Sequence, residues 1–438
     1  MSQASQAVQN GGRAADVAFA ARCVQRGEHA SIVGVNNMGK TAVLRAMTSL
    51  PEGPMAIYID CNRVLEWTEV GFYELVIRAI LDALPPDSPC RPGAERAHST
   101  LVLASSHLED AYAFVQSLGE VIHSLGRVTL LLDELDDLLR RLDARVFLNV
   151  RALADQYGQS LTLITATSHR LPLLRADVEP FYELFTYRTR YLAPLNNEEA
   201  EEYIRDYAAE AGCAVTKPLA DFIHAQADGH PGLLRALTYL VAGLIEGGDQ
   251  DDASLVRQAQ SSLALDQNVQ AECAAIWNEL FDDEREALAQ AVAGQTSSEP
   301  AAGYLRAKHL LKPSGNGYAL LCPVFADFVA RTRRVRPGGQ TGLRVDTERG
   351  DVYVDGKAIP PLTDLEYRLL ALLYQRHDQI VDKYQIVENV WGESYLDQVD
   401  DDRIERLVAR LREKVEPDPR QPRFVTTVRG RGYRLRTE

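Results

Sequence analysis

Cysteine is scarce in this chain of 438 residues, and its spacing argues against two classes of protein. No two cysteines form a CxxC pair, and none clusters with histidine. A zinc domain needs such pairs, and a small secreted domain needs a dense disulfide framework. We therefore expect reduced thiols, with neither zinc nor structural disulfides. The six cysteines are Cys23, Cys61, Cys90, Cys213, Cys273 and Cys322.

Long apolar runs are also missing. No stretch reaches the ~18 apolar residues of a membrane-spanning helix, and the run Tyr239–Ile245 is much shorter. The beginning of the chain, MSQASQAVQNGGRAADV, is polar and lacks the apolar core of a secretory signal. No internal repeat of ~20–50 residues is evident, which argues against a solenoid. These absences predict a cytoplasmic protein with no membrane partner.

Positive charge is in short supply, because the formal net charge is −15. The whole molecule is therefore not a general nucleic-acid binder, and any contact with DNA must come from a local basic patch. The hydrophobic content of 46% and the charged content of 25% are ordinary for a globular protein. At ~150 residues per domain, the length indicates about three domains.

The segment IVGVNNMGKT, from Ile32 to Thr41, has the pattern of a phosphate-binding loop. It follows the apolar run ASIV and precedes AVLRAM, which has helical spacing, so the order is strand, glycine-rich loop and helix. Glycines allow the backbone N–H groups to point at phosphate oxygens, and the helix adds its positive end. In such a loop Lys40 reaches the β- and γ-phosphates, and the Thr41 hydroxyl binds Mg²⁺. The expected nucleotide-binding residues here are Gly34, Val35, Asn36, Asn37, Met38, Gly39, Lys40, Thr41 and Ala42.

An ATPase of this kind also needs an acidic residue at the end of another buried strand. Val128–Leu132 is apolar except for Thr129, and Asp133 and Glu134 follow it. We expect Asp133 to organise Mg²⁺ and Glu134 to act as the general base on the attacking water. The predicted catalytic residues are thus Lys40, Asp133 and Glu134, and the metal ligands are Thr41 and Asp133.

Three further segments fit the same sheet: MAIYID (Met55–Asp60), LTLITATSHR (Leu161–Arg170) and FTYRTRYLAPL (Phe185–Leu195). Strands that alternate with helices predict a parallel α/β sheet with helices on both faces. Thr167 or Ser168, at the end of one strand, is placed to sense the γ-phosphate. The alternative is that either residue merely forms a turn.

The segments IVGVNNMGKT, LLLDEL, ITATS and YLAPLNNEEAEEYI resemble the AAA+-related STAND signal-transduction ATPases, which include NACHT-like and archaeal-type P-loop proteins. The resemblance covers about residues 15–265. It implies that a turn in a helical lid, here Gly229, His230 and Pro231, lies over the nucleotide, although Pro231 also suits a helix start. Candidate arginine fingers are Arg170, Arg188 and Arg190, and none is assigned.

The following region is similar to the winged helix that comes after the lid in such ATPases. IWNELFDDEREALAQAVAG (Ile276–Gly294) has the spacing of one helix that ends at glycine, and AAGYLRAKHLL is a second. KPSGNGYALLCPVFADFVAR predicts a hairpin and then a helix. The resemblance implies an internal role, packing on the nucleotide domain in a closed ADP state. DNA binding by this wing is the alternative, since the basic run RTRRVR follows at Arg331–Arg336.

The last stretch, about Gly342–Glu438, resembles the OmpR/PhoB-type winged helix-turn-helix. Its sequence predicts three short strands and a helix opened by a capping box of Thr363 and Glu366. A second helix, KYQIVENVW, is followed by a third, Asp401–Val415, and then by a hairpin wing. One apolar face is expected on the third helix; its members are Ile404, Leu407, Val408, Leu411 and Val415.

This stretch is locally basic, with eleven Lys and Arg residues against four Asp and Glu residues between positions 403 and 436. A solvated basic face with no ligand is the alternative to a DNA site. The family resemblance places the third helix in the major groove and the wing in the minor groove. It implies DNA contacts for Arg403, Arg406, Arg410, Arg412, Arg429 and Arg431.

Two features depart from the family pattern. Asp402 falls where the family has a basic residue near the start of the recognition helix, and Leu407 falls at a polar base-reading position. Acidic residues also surround the helix start, at Asp397, Asp400, Asp401 and Asp402. These carboxylates favour a helix N-terminus but repel phosphate. Reuse of the domain for protein contacts is therefore an open alternative.

Together these features predict a multidomain α/β P-loop ATPase with a parallel sheet, a helical lid, a winged helix and a C-terminal OmpR/PhoB-type winged helix-turn-helix. The expected boundaries are 15–195 for the P-loop core, 196–268 for the lid, 269–333 for the winged helix, 334–341 for a linker and 342–438 for the last domain. The expected cofactors are ATP or ADP with Mg²⁺.

The expected function is that of an ATPase with slow, regulatory hydrolysis, whose nucleotide state controls binding to double-stranded DNA in transcription or signalling. A nucleotide-dependent homo-oligomer or a protein partner fits the same resemblance. Two alternatives stay open. One is a sensor ATPase of a conflict or defence system, whose last domain mediates assembly or senses foreign DNA. The other is an AAA+ DNA loader or remodeller.

Overall fold

The chain divides into two compact units, residues 1–331 and residues 332–438, which are described separately. The computed structural model describes residues 12–50, 53–103, 107–247, 251–295, 299–314, 317–335, 342–346, 351–354, 357–359, 362–377, 379–391, 401–416, 418–419, 421–428 and 431–436. No helix in these ranges is long and apolar enough to cross a membrane.

A five-stranded sheet organises the first unit. Its strands are β1 (Ala30–Val33), β2 (Met55–Asp60), β3 (Val128–Asp133), β4 (Leu161–Thr167) and β5 (Thr189–Tyr191). The strands are all parallel and lie in the order β2-β3-β4-β1-β5. The predicted strands at β1, β2, β3 and β4 are confirmed. Only the centre of the predicted strand 185–195 pairs with the sheet, as β5.

Helices cover both faces of this sheet, as predicted. Along β3 and β4 every residue is buried, which explains their nearly continuous apolar sequence. Leu131 and Ile164 belong to one hydrophobic cluster, whereas Leu130 and Leu163 belong to a second. Because neighbouring residues of a strand point to opposite faces, the two clusters are the two sides of the sheet.

The helices of this region are α1 (Ala14–Arg26), α2 (Lys40–Thr48), α3 (Glu69–Ala83), α4 (Arg91–Leu103), α5 (His107–Leu125), α6 (Asp136–Arg141), α7 (Ala144–Tyr157), α8 (Leu171–Leu174), α9 (Glu179–Glu183), α10 (Asn197–Glu210), α11 (Lys217–Ala227), α12 (Pro231–Glu246) and α13 (Asp252–Ser262). Three of them, α3 to α5, lie between β2 and β3 in the sequence. From α10 onward the region is helical, as the lid prediction requires.

The prediction of one continuous helix over 276–294 is wrong. The structure has two helices, α14 (Gln267–Glu279) and α15 (Asp282–Val292), separated by Leu280 and Phe281. Leu280 has extended backbone angles, φ −70° and ψ 146°. The Glu284 carboxylate accepts a hydrogen bond from the Phe281 N–H at 3.0 Å, which caps the new helix. The acidic cluster at 282–284 therefore starts a helix rather than lying inside one.

The rest of the first unit matches the predicted winged helix. Helix α16 (Glu299–Ala307) precedes an antiparallel hairpin of β6 (Leu311–Ser314) and β7 (Gly317–Leu320). Helix α17 (Pro323–Val335) follows and runs across the division between the two units.

The second unit has the predicted order of three strands, three helices and a hairpin. Its elements are β8 (Leu343–Asp346), β9 (Asp351–Val354), β10 (Lys357–Ala358), α18 (Asp364–Gln375), α19 (Lys383–Val390), α20 (Asp401–Val415), β11 (Val425–Val428) and β12 (Gly432–Leu435). The predicted cap of α18 is present, because Glu366 accepts a hydrogen bond from the Thr363 N–H at 2.8 Å. The apolar face of α20 is buried in the core, as expected.

Candidate functional site

The loop between β1 and α2 has the backbone of a phosphate-binding loop. Asn37 and Gly39 both adopt left-handed conformations, with φ of +53° and +100°. Glycine reaches such angles without strain, and asparagine tolerates them better than most residues. A Cβ atom on Gly39 would also lie 3.0 Å from Nε of the buried Arg13. The first of the loop's two glycines, Gly34, is buried against Leu192 and Met38.

Lys40 is the first residue of α2 and is 3% exposed. Its Nζ atom donates a hydrogen bond to the Gly34 carbonyl oxygen at 2.9 Å and lies 3.8 Å from Oε1 of Glu134. Burial by itself lowers the pKa of Lys40, but the surrounding carboxylates, Glu279 foremost, raise it above its ordinary value. The side chain therefore stays a cation that faces the mouth of the loop.

The acidic pair at the end of β3, Asp133 and Glu134, lies at the same edge of the sheet as the loop. Asp133 is 1% exposed and accepts hydrogen bonds from the Tyr58 hydroxyl at 2.7 Å and from the Glu134 N–H at 3.1 Å. Glu134 has φ of +52°, an unusual conformation that turns the chain sharply after the strand. Burial raises the pKa of Glu134, while Lys40 opposes that rise.

The strand-end residues Thr167 and Ser168 are buried and hydrogen-bonded inside the protein. The Thr167 hydroxyl donates to the His169 carbonyl oxygen at 2.7 Å. The Ser168 hydroxyl donates to Oδ1 of Asp136 at 2.5 Å, and the Ser168 N–H also contacts that carboxylate. Both residues lie at the expected strand end, but these bonds fix their hydroxyls within the fold.

His230 and Pro231 start α12, with His230 as the N-cap and Pro231 in the first turn. The Nδ1 atom of His230 accepts a long hydrogen bond from the Leu233 N–H at 3.3 Å, so the interpretation of Pro231 as a helix start is also correct. His230 is fully buried beside the backbone of Asn36, and burial lowers its pKa to about 3. The ring is therefore neutral and lies beside the loop, and the role of this turn as a cover over the nucleotide stays a prediction.

Four residues near the loop were missed by the sequence reasoning. Arg13 is buried, and its guanidinium donates hydrogen bonds to the carbonyl oxygens of Met38 and Ala193. Tyr58 holds Asp133, as described above. Glu272 accepts hydrogen bonds from the Asn37 side chain at 2.8 Å and from Arg235 at 3.0 Å.

The fourth missed residue is Glu279, at the end of α14. Its Oε2 atom accepts a hydrogen bond from the Asn36 N–H at 2.7 Å, across 243 positions of sequence. Burial raises the pKa of Glu279 to about 7, although Lys40 and the Asn36 amide oppose that rise. An amide of the loop thus already binds an oxygen of an acidic group.

These observations fit a nucleotide and Mg²⁺. The loop offers amide donors, one of which binds a carboxylate oxygen, and a buried lysine at the start of a helix. Thr41 and Asp133 supply hydroxyl and carboxylate oxygens, the donor type that Mg²⁺ prefers. Glu134 lies next to Asp133 and close to Lys40. The arrangement has the components needed to bind a phosphate chain and to activate water beside it.

The three arginines considered as fingers differ in their surroundings. Arg188 pairs with Glu28 at 2.9 Å, and Arg190 pairs with Asp16 at 2.8 Å. Arg170 is the N-cap residue of α8, half-buried. The ion pairs hold two of these guanidinium groups against α1 and the turn that follows it.

In the second unit, the predicted DNA-contacting arginines fall into two groups. Arg403, Arg406 and Arg410 are exposed on α20, and Arg431 is exposed at the hairpin turn. Arg412 instead donates to the Val425 carbonyl oxygen at 2.6 Å and to the Thr427 hydroxyl at 2.9 Å. Those bonds hold the hairpin to α20, so Arg412 has a structural role in this domain.

The remaining predictions for this domain have mixed outcomes. Arg429 lies outside the described residues, as do Asp397 and Asp400. Leu407 is completely buried, so it belongs to the core and is not a base-reading position. In the same domain, the Glu416 carboxylate accepts hydrogen bonds from the N–H groups of Arg423, Phe424 and Val425. These bonds fix the start of the hairpin.

The family model described as "Transcriptional regulatory protein, C terminal" matches residues 356–435. The DNA-binding dual master transcriptional regulator RpaA of Synechocystis sp. is 43% identical over 96 residues, which are 22% of this chain and 39% of that protein. The sensory transduction protein RegX3 of Mycobacterium leprae is 40% identical over 94 residues, or 21% of this chain and 46% of that protein. The chain therefore spans less than half the length of these relatives.

Two solved structures resemble the larger part of the chain. The Walker-type ATPase of Pyrococcus abyssi is 19% identical with a TM-score of 0.48, and the alignment covers 72% of this chain and 95% of that one. The ORC2 protein of Aeropyrum pernix is 14% identical with a TM-score of 0.44, covering 74% and 94%. The family match and the order of elements in the second unit together show that the C-terminal domain of this chain is of the OmpR/PhoB type.

Proposed function

We propose that this protein is a nucleotide-controlled transcription regulator, in which an ATPase of the STAND type governs a DNA-binding domain. The observation that carries the proposal is the presence, in one chain, of a phosphate-binding loop facing an acidic pair and of an OmpR/PhoB-type domain with exposed arginines. The loop and the acidic pair bind and hydrolyse ATP, and the C-terminal domain binds DNA in response.

The residues of the first unit take complementary roles in this proposal. Lys40 neutralises the β- and γ-phosphates, and the loop amides and the α2 N-terminus bind the phosphate chain. Thr41 and Asp133 would hold Mg²⁺, which when bound would supply Lewis-acid chemistry. Glu134 orients and deprotonates the attacking water. The raised pKa of Glu134 makes it a better proton acceptor in the ionised form, with Lys40 keeping that form populated.

The domain division given above, 15–195, 196–268, 269–333, 334–341 and 342–438, is part of the proposal. Hydrolysis is slow and serves to reset a switch rather than to drive a motor. ATP and ADP can shift the DNA affinity of the protein only if they differ in how strongly they favour one of its two conformations over the other. A nucleotide-dependent homo-oligomer and a cytoplasmic location belong to the same proposal.

The second unit supports DNA binding through α20 and the hairpin. Arg403, Arg406 and Arg410 are three basic residues on the exposed side of a helix whose opposite face is core. Such a helix enters the major groove in this class of domain, and its arginines contact phosphate or guanine. Arg431 lies where the wing approaches the neighbouring groove.

The test is DNA binding by the full chain with ATP, with ADP, and after Lys40→Ala, over a titration of salt. Phosphate contacts make affinity fall as salt rises. Affinity that changes with nucleotide, and that is lost in Arg410→Ala or Arg431→Ala, is the expected result. Arg368→Ala is a matched control, because this exposed arginine lies on α18.

The other outcomes identify the competing functions. Hydrolysis stimulated by DNA of any sequence indicates a DNA loader or remodeller. The absence of DNA binding with either nucleotide refutes the proposal and favours a defence-type sensor whose last domain contacts protein.

A further inference from the structure

The contact between Glu279 and the phosphate-binding loop has a consequence for nucleotide choice. Glu279 Oε2 accepts from the Asn36 N–H at 2.7 Å, a length typical of a strong, charge-assisted bond. Amides of such a loop are the groups that bind phosphate oxygens. The ionised carboxylate of Glu279 and a phosphate are both anions, so they compete for the same donor and repel each other.

The position of Glu279 relative to the phosphate chain follows from its neighbours. Its carboxyl group interacts electrostatically with Lys40, Asp136 and Glu134. Lys40 reaches the β- and γ-phosphates in loops of this type. Glu134 is the residue assigned to the water that attacks the γ-phosphate. If Lys40 and Glu134 take the roles assigned above, Glu279, whose carboxyl group interacts electrostatically with both and accepts from the Asn36 N–H, lies on the γ-phosphate side of the loop.

The helix that carries Glu279 is anchored on the loop at a second point. Glu272, two turns earlier on α14, accepts hydrogen bonds from the Asn37 side chain at 2.8 Å and 3.0 Å. Across this contact the packing is tight, because a Cβ atom on Gly232 would lie 2.5 Å from the Glu272 carboxylate and 2.7 Å from the Asn37 Cβ. Helix α14 therefore holds Glu279 against the loop and leaves it little freedom to move sideways.

From this geometry we infer that Glu279 is a specificity-determining residue that makes the site prefer a nucleoside diphosphate to a triphosphate. A diphosphate lacks the group that meets the Glu279 carboxylate. A triphosphate must either displace the end of α14 or bind beside an uncompensated negative charge. The inference rests on the proposed function, since it concerns the choice of nucleotide at the site assigned above.

The experiment measures the affinity of the full chain for Mg²⁺·ADP and for the Mg²⁺ complex of β,γ-imido-ATP by titration calorimetry. Glu279→Gln keeps the shape and an acceptor atom but removes the charge. It is expected to raise the ratio of triphosphate affinity to ADP affinity by about tenfold, which is within the usual range of coupling free energies between two sites. Glu279→Ala, which also removes the acceptor, is expected to change the ratio in the same direction.

Asp282→Asn is the matched control, because it removes one charge three positions further along the chain, from an exposed carboxylate that pairs with Arg285 and not with the loop. Its ratio of affinities should equal that of the wild type. Circular dichroism of each variant verifies that α14 and the sheet are intact.

Three results overturn the inference, and only the third also overturns the proposed function. If Lys40→Ala abolishes binding but both Glu279 variants keep the wild-type ratio, Glu279 does not select the nucleotide and the proposed function stands. An equal gain for ADP and the triphosphate analogue also rejects selection. If neither nucleotide binds to the wild type or to either Glu279 variant, the proposed function fails as well. Triphosphate binding that emerges only in the Glu279 variants supports the inference.

Discussion

A buried ion pair near the end of β4 provides the sharpest test of the energetics. The carboxylate of Glu284 and the ammonium of Lys308 lie 2.6 Å apart, and each side chain is 2% exposed. His169 donates to the same carboxylate at 2.9 Å and is completely buried. A carboxylate only accepts, so the His169 ring carries its proton on Nε2. These three side chains join the end of β4 to the winged-helix region.

We expect Glu284→Gln to destabilise the first unit by about 3 kcal/mol, because it leaves the Lys308 charge buried without a counter-ion. The pKa of Glu284 gives the same magnitude. Burial raises that pKa, but the His169 hydrogen bond and the Lys308 charge outweigh burial and lower it from 4.5 to about 2. At 1.36 kcal/mol per pKa unit, that difference is worth about 3 kcal/mol.

The pH dependence of this contribution has a definite sign. The folded-state pKa of Glu284 lies below its unfolded value, so the stabilisation is complete above about pH 4.5 and is lost as the pH falls toward 2. The difference in stability between wild type and Glu284→Gln should therefore be constant near neutral pH and should shrink below pH 4.5.

The assay is thermal unfolding combined with hydrogen exchange of the amides in β4. For a unit of this size, a loss of about 3 kcal/mol lowers the unfolding midpoint by roughly 4 °C. Adding Lys308→Met to Glu284→Gln should recover most of the loss, because no unpaired buried charge then remains. The ion pair of the exposed Asp282 with Arg285 is the control, and Asp282→Asn should change stability by less than about 0.5 kcal/mol. A midpoint unchanged in Glu284→Gln, or a double variant no better than the single one, would refute the reasoning.

Three further outcomes are expected from single substitutions. Tyr58→Phe removes the hydroxyl that holds Asp133, so ATP turnover should fall by about tenfold while Mg²⁺-free ADP binding is unchanged in calorimetry. Gly39→Ala should weaken nucleotide binding, because the φ of +100° at this position disfavours any side chain and a Cβ would press on the buried guanidinium of Arg13. An affinity equal to that of the wild type in calorimetry contradicts this account. Arg410→Ala should lower DNA affinity and should reduce the slope of log affinity against log salt by about one, without changing the unfolding midpoint. Arg412→Ala should instead lower the unfolding midpoint of the C-terminal domain, because its hydrogen bonds hold the hairpin.

The parts of the site that were predictable from sequence are those encoded within short segments. The strand, loop and helix around Lys40 form one continuous stretch, and Asp133 directly follows an apolar run, so residue type and spacing locate both. The hydrophobic pattern of α20 likewise gave its bounds and its buried face, because the 3.6-residue period is a local property. The same pattern correctly placed Leu407 in the core, which agrees with its departure from the polar residue that the family has at this position.

The parts that were not predictable depend on long-range contacts. Arg13 reaches the Ala193 carbonyl oxygen across 180 positions, and Glu279 reaches the Asn36 amide across 243. Neither side chain belongs to a motif, and each is an ordinary helix-end or loop residue until the fold brings it to the phosphate-binding loop. Tyr58 illustrates a milder case: its strand was predicted, but only the register that pairs Asp60 with Asp133 places its hydroxyl near that carboxylate.

The break between α14 and α15 explains why Glu279 and Glu284 make contacts at the same edge of the sheet. In one continuous helix over 276–294, Glu279 and Glu284 would project about 140° apart, on different sides. The extended backbone at Leu280 and the cap at Phe281 end one helix and start another, and both carboxylates then reach the nucleotide-binding edge of the sheet. Glu279 contacts the loop after β1, and Glu284 contacts His169 after β4. A displacement of α14 by a third phosphate would therefore pull on the segment that also positions Glu284, which links nucleotide choice to the winged-helix region through two residues of backbone.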